Sequence, residues 1–113
     1  MNQFWTWQGH KIAWNVEEQI KDSPIATILI HGFGASKEHW RFNQKSISAI
    51  STCYAIDLIG FGNSSQPNAQ LLYEKKKPEN FSYCFDNWSK IIVDFCDQIV
   101  KKPVILIGNS IGG

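Results

Sequence analysis

The sequence predicts an α/β fold built on a mostly parallel sheet, and three observations carry that prediction. Ile25-Ala26-Thr27-Ile28-Leu29-Ile30, Cys53-Tyr54-Ala55-Ile56-Asp57 and Pro103-Val104-Ile105-Leu106-Ile107 are short apolar runs. Apolar residues on both faces mark strands buried between two layers. Stretches of helical character separate the runs, and strand–helix–strand alternation builds βαβ crossovers and a parallel sheet. An amino-terminal stretch of alternating residues adds a hairpin.

Taken in order, Phe4 to Val16 alternates aromatic and polar residues on either side of Gln8-Gly9, the pattern of a β-hairpin with a glycine-containing turn. Asp22-Ser23-Pro24 precedes the first buried strand. Ser36 can cap a helix running to about Ile50, with Trp40, Ile47 and Ile50 near one face. The strand ending at Asp57 leads into a glycine-rich loop from Leu58 to Ser65. From Gln66 to Ser82 the chain is polar, contains Pro67 and Pro78, and predicts a long surface connection. Between Asp86 and Lys102, Trp88, Ile91, Ile92, Phe95 and Ile99 recur at helical spacing, and Pro103 ends the helix. No internal repeat interrupts this order.

At 113 residues the chain is long enough for one domain and too short for two. Its 43% hydrophobic and 19% charged content is that of a globular chain. A formal net charge of +1 gives no reason to expect nucleic acid or an anionic membrane as partner. Lys75-Lys76-Lys77 and Lys101-Lys102 are short basic runs that read as a solvated loop and a helix C-terminus. The amino terminus shows no signal peptide, and no apolar stretch approaches the roughly 20 residues of a membrane span. Cys53, Cys84 and Cys96 are odd in number and lack C-x-x-C spacing, so they read as buried or partly buried free thiols in a reducing compartment. The expected location is cytoplasmic.

In an open parallel sheet, ligands collect at the carboxyl ends of the strands. Three glycine-bearing loops fall there: His31-Gly32-Phe33-Gly34, Leu58 to Ser65, and Gly108-Asn109-Ser110-Ile111-Gly112. The last spells G-x-S-x-G directly behind an apolar run, the form of a nucleophile elbow, whose sharp strand-to-helix turn lifts the serine hydroxyl above the sheet. Acyl transfer by serine needs a nucleophile, a base, a group that orients the base, and donors for the oxyanion. Ser110 is the candidate nucleophile. The candidate oxyanion donors are the backbone N–H groups of Ile111 and Phe33. Removing one such donor costs roughly 2.7–4 kcal/mol of barrier.

His31-Gly32-Phe33-Gly34, Asp57-Leu58-Ile59-Gly60-Phe61-Gly62-Asn63-Ser64 and Gly108-Asn109-Ser110-Ile111-Gly112-Gly113, in this order, resemble the α/β-hydrolase fold superfamily. The resemblance spans Gln8-Gly9-His10 to the end. It implies that residues 1–113 are one partial domain, the N-terminal half of an α/β-hydrolase sheet, incomplete at the C-terminus. Trp40, the Asp57–Ser64 loop, the Trp88 helix and Gly-Asn-Ser-Ile-Gly-Gly resemble the pheophytinase and chlorophyll dephytylase branch, which implies hydrolysis of a phytyl ester. Cofactor-free carboxylesterases and carbon–carbon bond hydrolases share much of the pattern. The family order of nucleophile, acid, histidine implies an acid and a base beyond Gly113. The 113-residue piece alone is accordingly expected to be inactive and aggregation-prone, with its elbow strand at an exposed apolar edge.

None of His10, His31 or His39 suits the role of base: the family uses His31 structurally, His39 starts a helix, and His10 lies near the hairpin turn. For Asp57 two readings stay open, a general base or a hydrogen-bonding anchor for the glycine loop. Ser64 and Ser65 read as turn residues. Phe33 and Phe61 are candidates for lining the substrate pocket; Trp40 divides between that and the core, and Trp5, Trp7 and Trp14 read as packing. Residues 32–37 lack P-loop spacing, and residues 60–65 have serine where a dinucleotide loop needs its third glycine. No acid or histidine cluster offers a metal site. Serine at 110, in place of aspartate, argues against the haloalkane dehalogenase and epoxide hydrolase branches. The expectation is thus a cofactor-free, metal-free serine hydrolase acting on an apolar small-molecule ester. A non-catalytic binding module on the same fold is the alternative.

Overall fold

Alternation along two central strands decides the architecture. In β3 (Ala26–Ile30) and β4 (Thr52–Ile56) every residue is buried, so each strand carries apolar side chains to both faces. Ala26, Ile28, Ile30, Tyr54 and Ile56 point into one apolar cluster, while Leu29, Cys53 and Ala55 point into another. Two such faces require a covering layer on each side. α1 (Arg41–Ile47) and α2 (Phe85–Phe95) supply them from opposite sides. The computed structural model describes residues 2–32 and 35–109.

The sheet has five strands in the order β1-β2-β4-β3-β5, with β1 at Gln3–Trp7, β2 at His10–Glu17 and β5 at Val104–Gly108. β4, β3 and β5 run parallel, with Ile30 opposite both Ile56 and Gly108. β1 and β2 form an antiparallel hairpin that joins the sheet through β2 against β4. Gln8 and Gly9 both have positive φ, 46° and 81°, which is what a two-residue type I′ turn demands and why glycine stands there. The expected fold class is the one observed: a hairpin followed by parallel βαβ units.

α2 docks through the predicted stripe. Ile91, Ile92 and Phe95 are buried, each contributing roughly 1.5–3 kcal/mol of transfer free energy, more than helix propensity can supply. The hairpin tryptophans complete this face as packing residues. Trp14 and Trp5 meet Phe95 edge-on at 5.5 and 5.6 Å, and Trp7 Nε1 donates to Asp94 Oδ2 at 2.7 Å.

Three boundaries differ from expectation. The helix capped by Ser36 opens as a 3₁₀ turn at Lys37–Trp40 before α1, and α1 stops at Ile47. Ile50 is therefore exposed and no part of the stripe: its N–H closes a tight turn onto the Ile47 carbonyl. The second helix widens to π geometry at Cys96–Val100. It ends because Lys101 turns left-handed (φ 58°) and returns its N–H to the Cys96 carbonyl at 2.8 Å, so it closes ahead of Pro103. The Gln66–Ser82 segment is the expected surface connection, closed on itself by a bridge between Ala69 and Phe81 and held to the start of the next stretch by Tyr83 Oη, which donates to the Pro67 carbonyl at 2.6 Å.

Candidate active site

The parallel register places His31, Asp57 and Asn109 side by side at one edge, each the first residue beyond its strand. Asn109 N–H donates to the Ile30 carbonyl at 3.2 Å, holding the end of β5 against the end of β3. The three glycine-bearing loops thus leave the sheet together, as the sequence predicts. Ser110, Ile111 and Phe33, the expected nucleophile and oxyanion donors, lie outside the described residues.

His31 is fully buried and ties two of these loops together. Leu58 N–H donates to its Nε2 at 2.9 Å, so Nε2 carries no proton and Nδ1 is the donor, to the Gly32 carbonyl at 2.8 Å. Burial holds its pKa below the usual histidine value, against the opposing pull of the Gly32 carbonyl and of Asp57. With both nitrogens committed and the ring neutral, His31 positions loops and is unsuited to taking a proton from serine. The Gly32 carbonyl also accepts from Ala35 N–H at 3.1 Å, which secures the chain on either side of Phe33 and Gly34.

Asp57 resolves to the anchoring role. Its side chain is fully buried. Oδ1 accepts from Lys37 N–H at 2.6 Å, and Oδ2 accepts from Lys37 Nζ and Asn63 N–H, both at 2.9 Å. All three of these donors belong to the helix start or the glycine loop. Gly62 (φ 54°) follows from this arrangement, because a Cβ there would collide with the Asp57 carboxylate. Ser64 and Ser65 do more than turn the chain. Ser64 Oγ donates to the Asp57 carbonyl at 2.6 Å and accepts Ala13 N–H at 2.8 Å, while Ser65 pairs with Lys11 through both backbone and hydroxyl. They staple the loop to β2.

Lys37 is the residue that sequence reasoning missed. A lysine opening a helix reads as solvated, yet its side chain has no exposure and reaches Asp57 at 2.9 Å and Asn63 Oδ1 at 3.1 Å. Nothing local in the sequence signals this; only the position of Asp57, twenty residues on, makes the burial tolerable.

Phe61 sits on the same edge, its ring edge-on to His31 at 5.3 Å and tilted against Trp88 at 6.3 Å. Trp40 packs with Leu29, Cys53 and Ala55 on the α1 face. His39 is exposed. His10 lies by the hairpin turn, edge-on to Phe81 at 6.1 Å. Of the thiols, Cys53 is buried and pushed up to about 12 by burial, with Glu17 adding to it, whereas Cys84 is exposed, contrary to expectation. Its position just ahead of α2 leaves it outside the apolar stripe. Among the described residues no group of acids, histidines and cysteines could hold a metal, and no helix is long and apolar enough to cross a membrane.

Comparison with known proteins agrees with this geometry. The alpha/beta hydrolase fold model matches residues 26–113. The chain is 32% identical over 96 residues to a (lyso)-N-acylphosphatidylethanolamine lipase of Mus musculus, covering 85% of this chain and 25% of that protein. It is 31% identical over 112 residues to 1-acylglycerol-3-phosphate O-acyltransferase ABHD5 of Sus scrofa, covering 99% and 28%. Among solved structures, a bacterial membrane phospholipase A superposes with a TM-score of 0.80 at 25% identity, over 99% of this chain and 32% of that one. The chain therefore spans about a quarter of the length of these curated relatives. Their names give no support to the pheophytinase and chlorophyll dephytylase branch that the local motifs resemble. Sheet order, loop convergence and the match to more than half its length agree: the chain belongs to the alpha/beta hydrolase fold family.

Proposed function

We propose that the protein is a serine hydrolase that cleaves the carboxylic ester of a lipid through an acyl-enzyme on Ser110. The observation that carries this reading is the edge where β3, β4 and β5 end together, with Asn109 hydrogen-bonded to Ile30 one residue before the serine. In this reading Ser110 Oγ attacks the ester carbonyl and the alcohol leaves. The N–H groups of Phe33 and Ile111 stabilise the oxyanion, and water then releases the acid. Phe33 and Phe61 line the acyl or alcohol side of the pocket. The names of the relatives, a lipase, an acyltransferase and a phospholipase A, favour a lipid acyl ester over a phytyl ester.

In this reading the base is a histidine beyond Gly113 in the protein at its native length, since His31 is committed, His39 is exposed and His10 stands by the hairpin. By the family order it follows the nucleophile, as does the acid. Residues 1–113 alone would then lack turnover, and β5, with Ile105 and Leu106 half exposed on an open edge, would promote aggregation.

A second reading has its own support in the acyltransferase relative: the same acyl-enzyme can be intercepted by an alcohol in place of water. Ester hydrolysis by the protein at its native length, with and without a lysophospholipid acceptor, separates the two. Ser110→Ala should lower kcat at least about 10³-fold with either acceptor. Full retention of hydrolysis by Ser110→Ala would refute both, whereas no ester turnover by the wild type with either acceptor would leave the non-catalytic module.

A further inference from the structure

Beyond the catalytic edge, the hairpin turn, the 66–82 segment and the start of α2 enclose a cavity of about 520 Å³. Its floor is Trp7 and Phe81, and its walls carry His10, Lys76, Lys77 and Lys90. No carboxylate lines it; Glu74, Glu79 and Asp86 of the neighbouring chain are exposed and outside the lining. Among the described residues, none of the three lysine ammonium groups has an ion pair or hydrogen bond. His10 is 8% exposed, its imidazole makes no hydrogen bond, and its ring stands edge-on to Phe81. An imidazole that lines the cavity with its ring nitrogens unpaired can donate a hydrogen bond to an anion bound there.

The wall is built, and its construction has a consequence. The Gln70 side chain donates to the carbonyls of Leu71, Glu74 and Lys75 and accepts from Lys77 N–H and Asn80 Nδ2. Wrapping the loop around one amide turns Leu72 and Tyr73 fully outward, at 106% and 86% exposure. An apolar tip, a run of three lysines and a basic cavity therefore share one surface. That is the combination by which a soluble face engages an anionic bilayer: apolar side chains enter the interface and lysines meet the headgroups.

We propose that this cavity binds the phosphate of a membrane-lipid headgroup, with Leu72 and Tyr73 inserted in the bilayer surface beside it. The proposal does not depend on catalysis at Ser110. The test uses the protein at its native length with phosphatidylcholine vesicles, with and without phosphatidic acid, and inorganic phosphate as a competitor. Wild type should partition preferentially onto the phosphatidic acid vesicles. Each lysine replaced should weaken binding about five-fold, so Lys76→Gln/Lys77→Gln/Lys90→Gln together should lower it about 10²-fold. His10→Leu, which leaves the lysine charge intact, should weaken it as well. Leu72→Ser/Tyr73→Ser should impair vesicle binding while leaving inorganic phosphate binding unchanged. Ser110→Ala should bind as wild type does. Unchanged vesicle binding in the triple lysine variant or in His10→Leu would overturn the site. Binding of inorganic phosphate without binding of vesicles would overturn the lipid as its source.

Discussion

Replacing Asp57 by asparagine removes one charge and almost no volume, and it should be among the most damaging single changes in the described region. At 2.9 Å the Lys37–Asp57 attraction is about 6 kcal/mol at an effective dielectric of 20. That offsets a desolvation cost of several kcal/mol for each ion, so the intact pair contributes little net stability. Breaking it is a different matter. Asp57→Asn strands a fully buried ammonium and offers one acceptor oxygen to three donors, Lys37 N, Lys37 Nζ and Asn63 N. The expected loss is about 3–5 kcal/mol, a large share of the stability of an ordinary domain. Lys37→Met leaves the carboxylate with its two backbone N–H donors, so it should cost less, about 1–3 kcal/mol. Adding Lys37→Met to Asp57→Asn should restore part of the loss, because no unpaired charge then stays buried. Urea unfolding of the protein at its native length, followed by tryptophan fluorescence, measures all three. Asp57→Asn within about 1 kcal/mol of wild type, or Lys37→Met the more damaging, would refute the argument.

Two further predictions concern titration and access. His31 has a folded pKa below its unfolded value, so the unfolded chain takes up its proton first on acidification. Its stabilisation is complete above about pH 6.5 and is lost as pH falls toward the folded pKa, at no more than about 1.4 kcal/mol per pH unit. His31→Gln should flatten that part of a stability-versus-pH curve; an unchanged slope would mean His31 is not its source. Cys84, exposed, should react with a thiol reagent in the native state, while Cys53, buried and held at about 12, should react only on unfolding. Native labelling of Cys53 found by mass spectrometry would contradict its burial.

Much of the fold is legible in the residues because its signals are local. Continuous apolar runs announce strands buried on both faces, and α2 is visible because Ile91, Ile92 and Phe95 repeat at helical spacing over a buried stripe. The three loops of the candidate site are legible for the same reason, since each glycine-bearing motif directly follows a strand. Ends of elements are less so. Ile50 has the right spacing for its helix but lies past the turn that closes it, and left-handed Lys101 stops a helix that the sequence carries to Pro103.

The amino-acid sequence alone determined the fold class, the family and the edge where the candidate site lies, because periodicity and motif order are properties of neighbouring residues. Tertiary structure alone decided the roles of the polar residues. Asp57 could have been a base or an anchor until Lys37 at the helix start and Asn63 in the glycine loop bound its carboxylate. Lys37 is buried only because that carboxylate is there to receive it. His31 is fixed as a neutral linker by an amide twenty-seven residues away. Lys76 and Lys77, read along the chain as a solvated loop, share one wall with Lys90 only when the hairpin and α2 close around them. A partner distant in the chain leaves no mark on local pattern, yet once burial removes water it determines what a polar group can do.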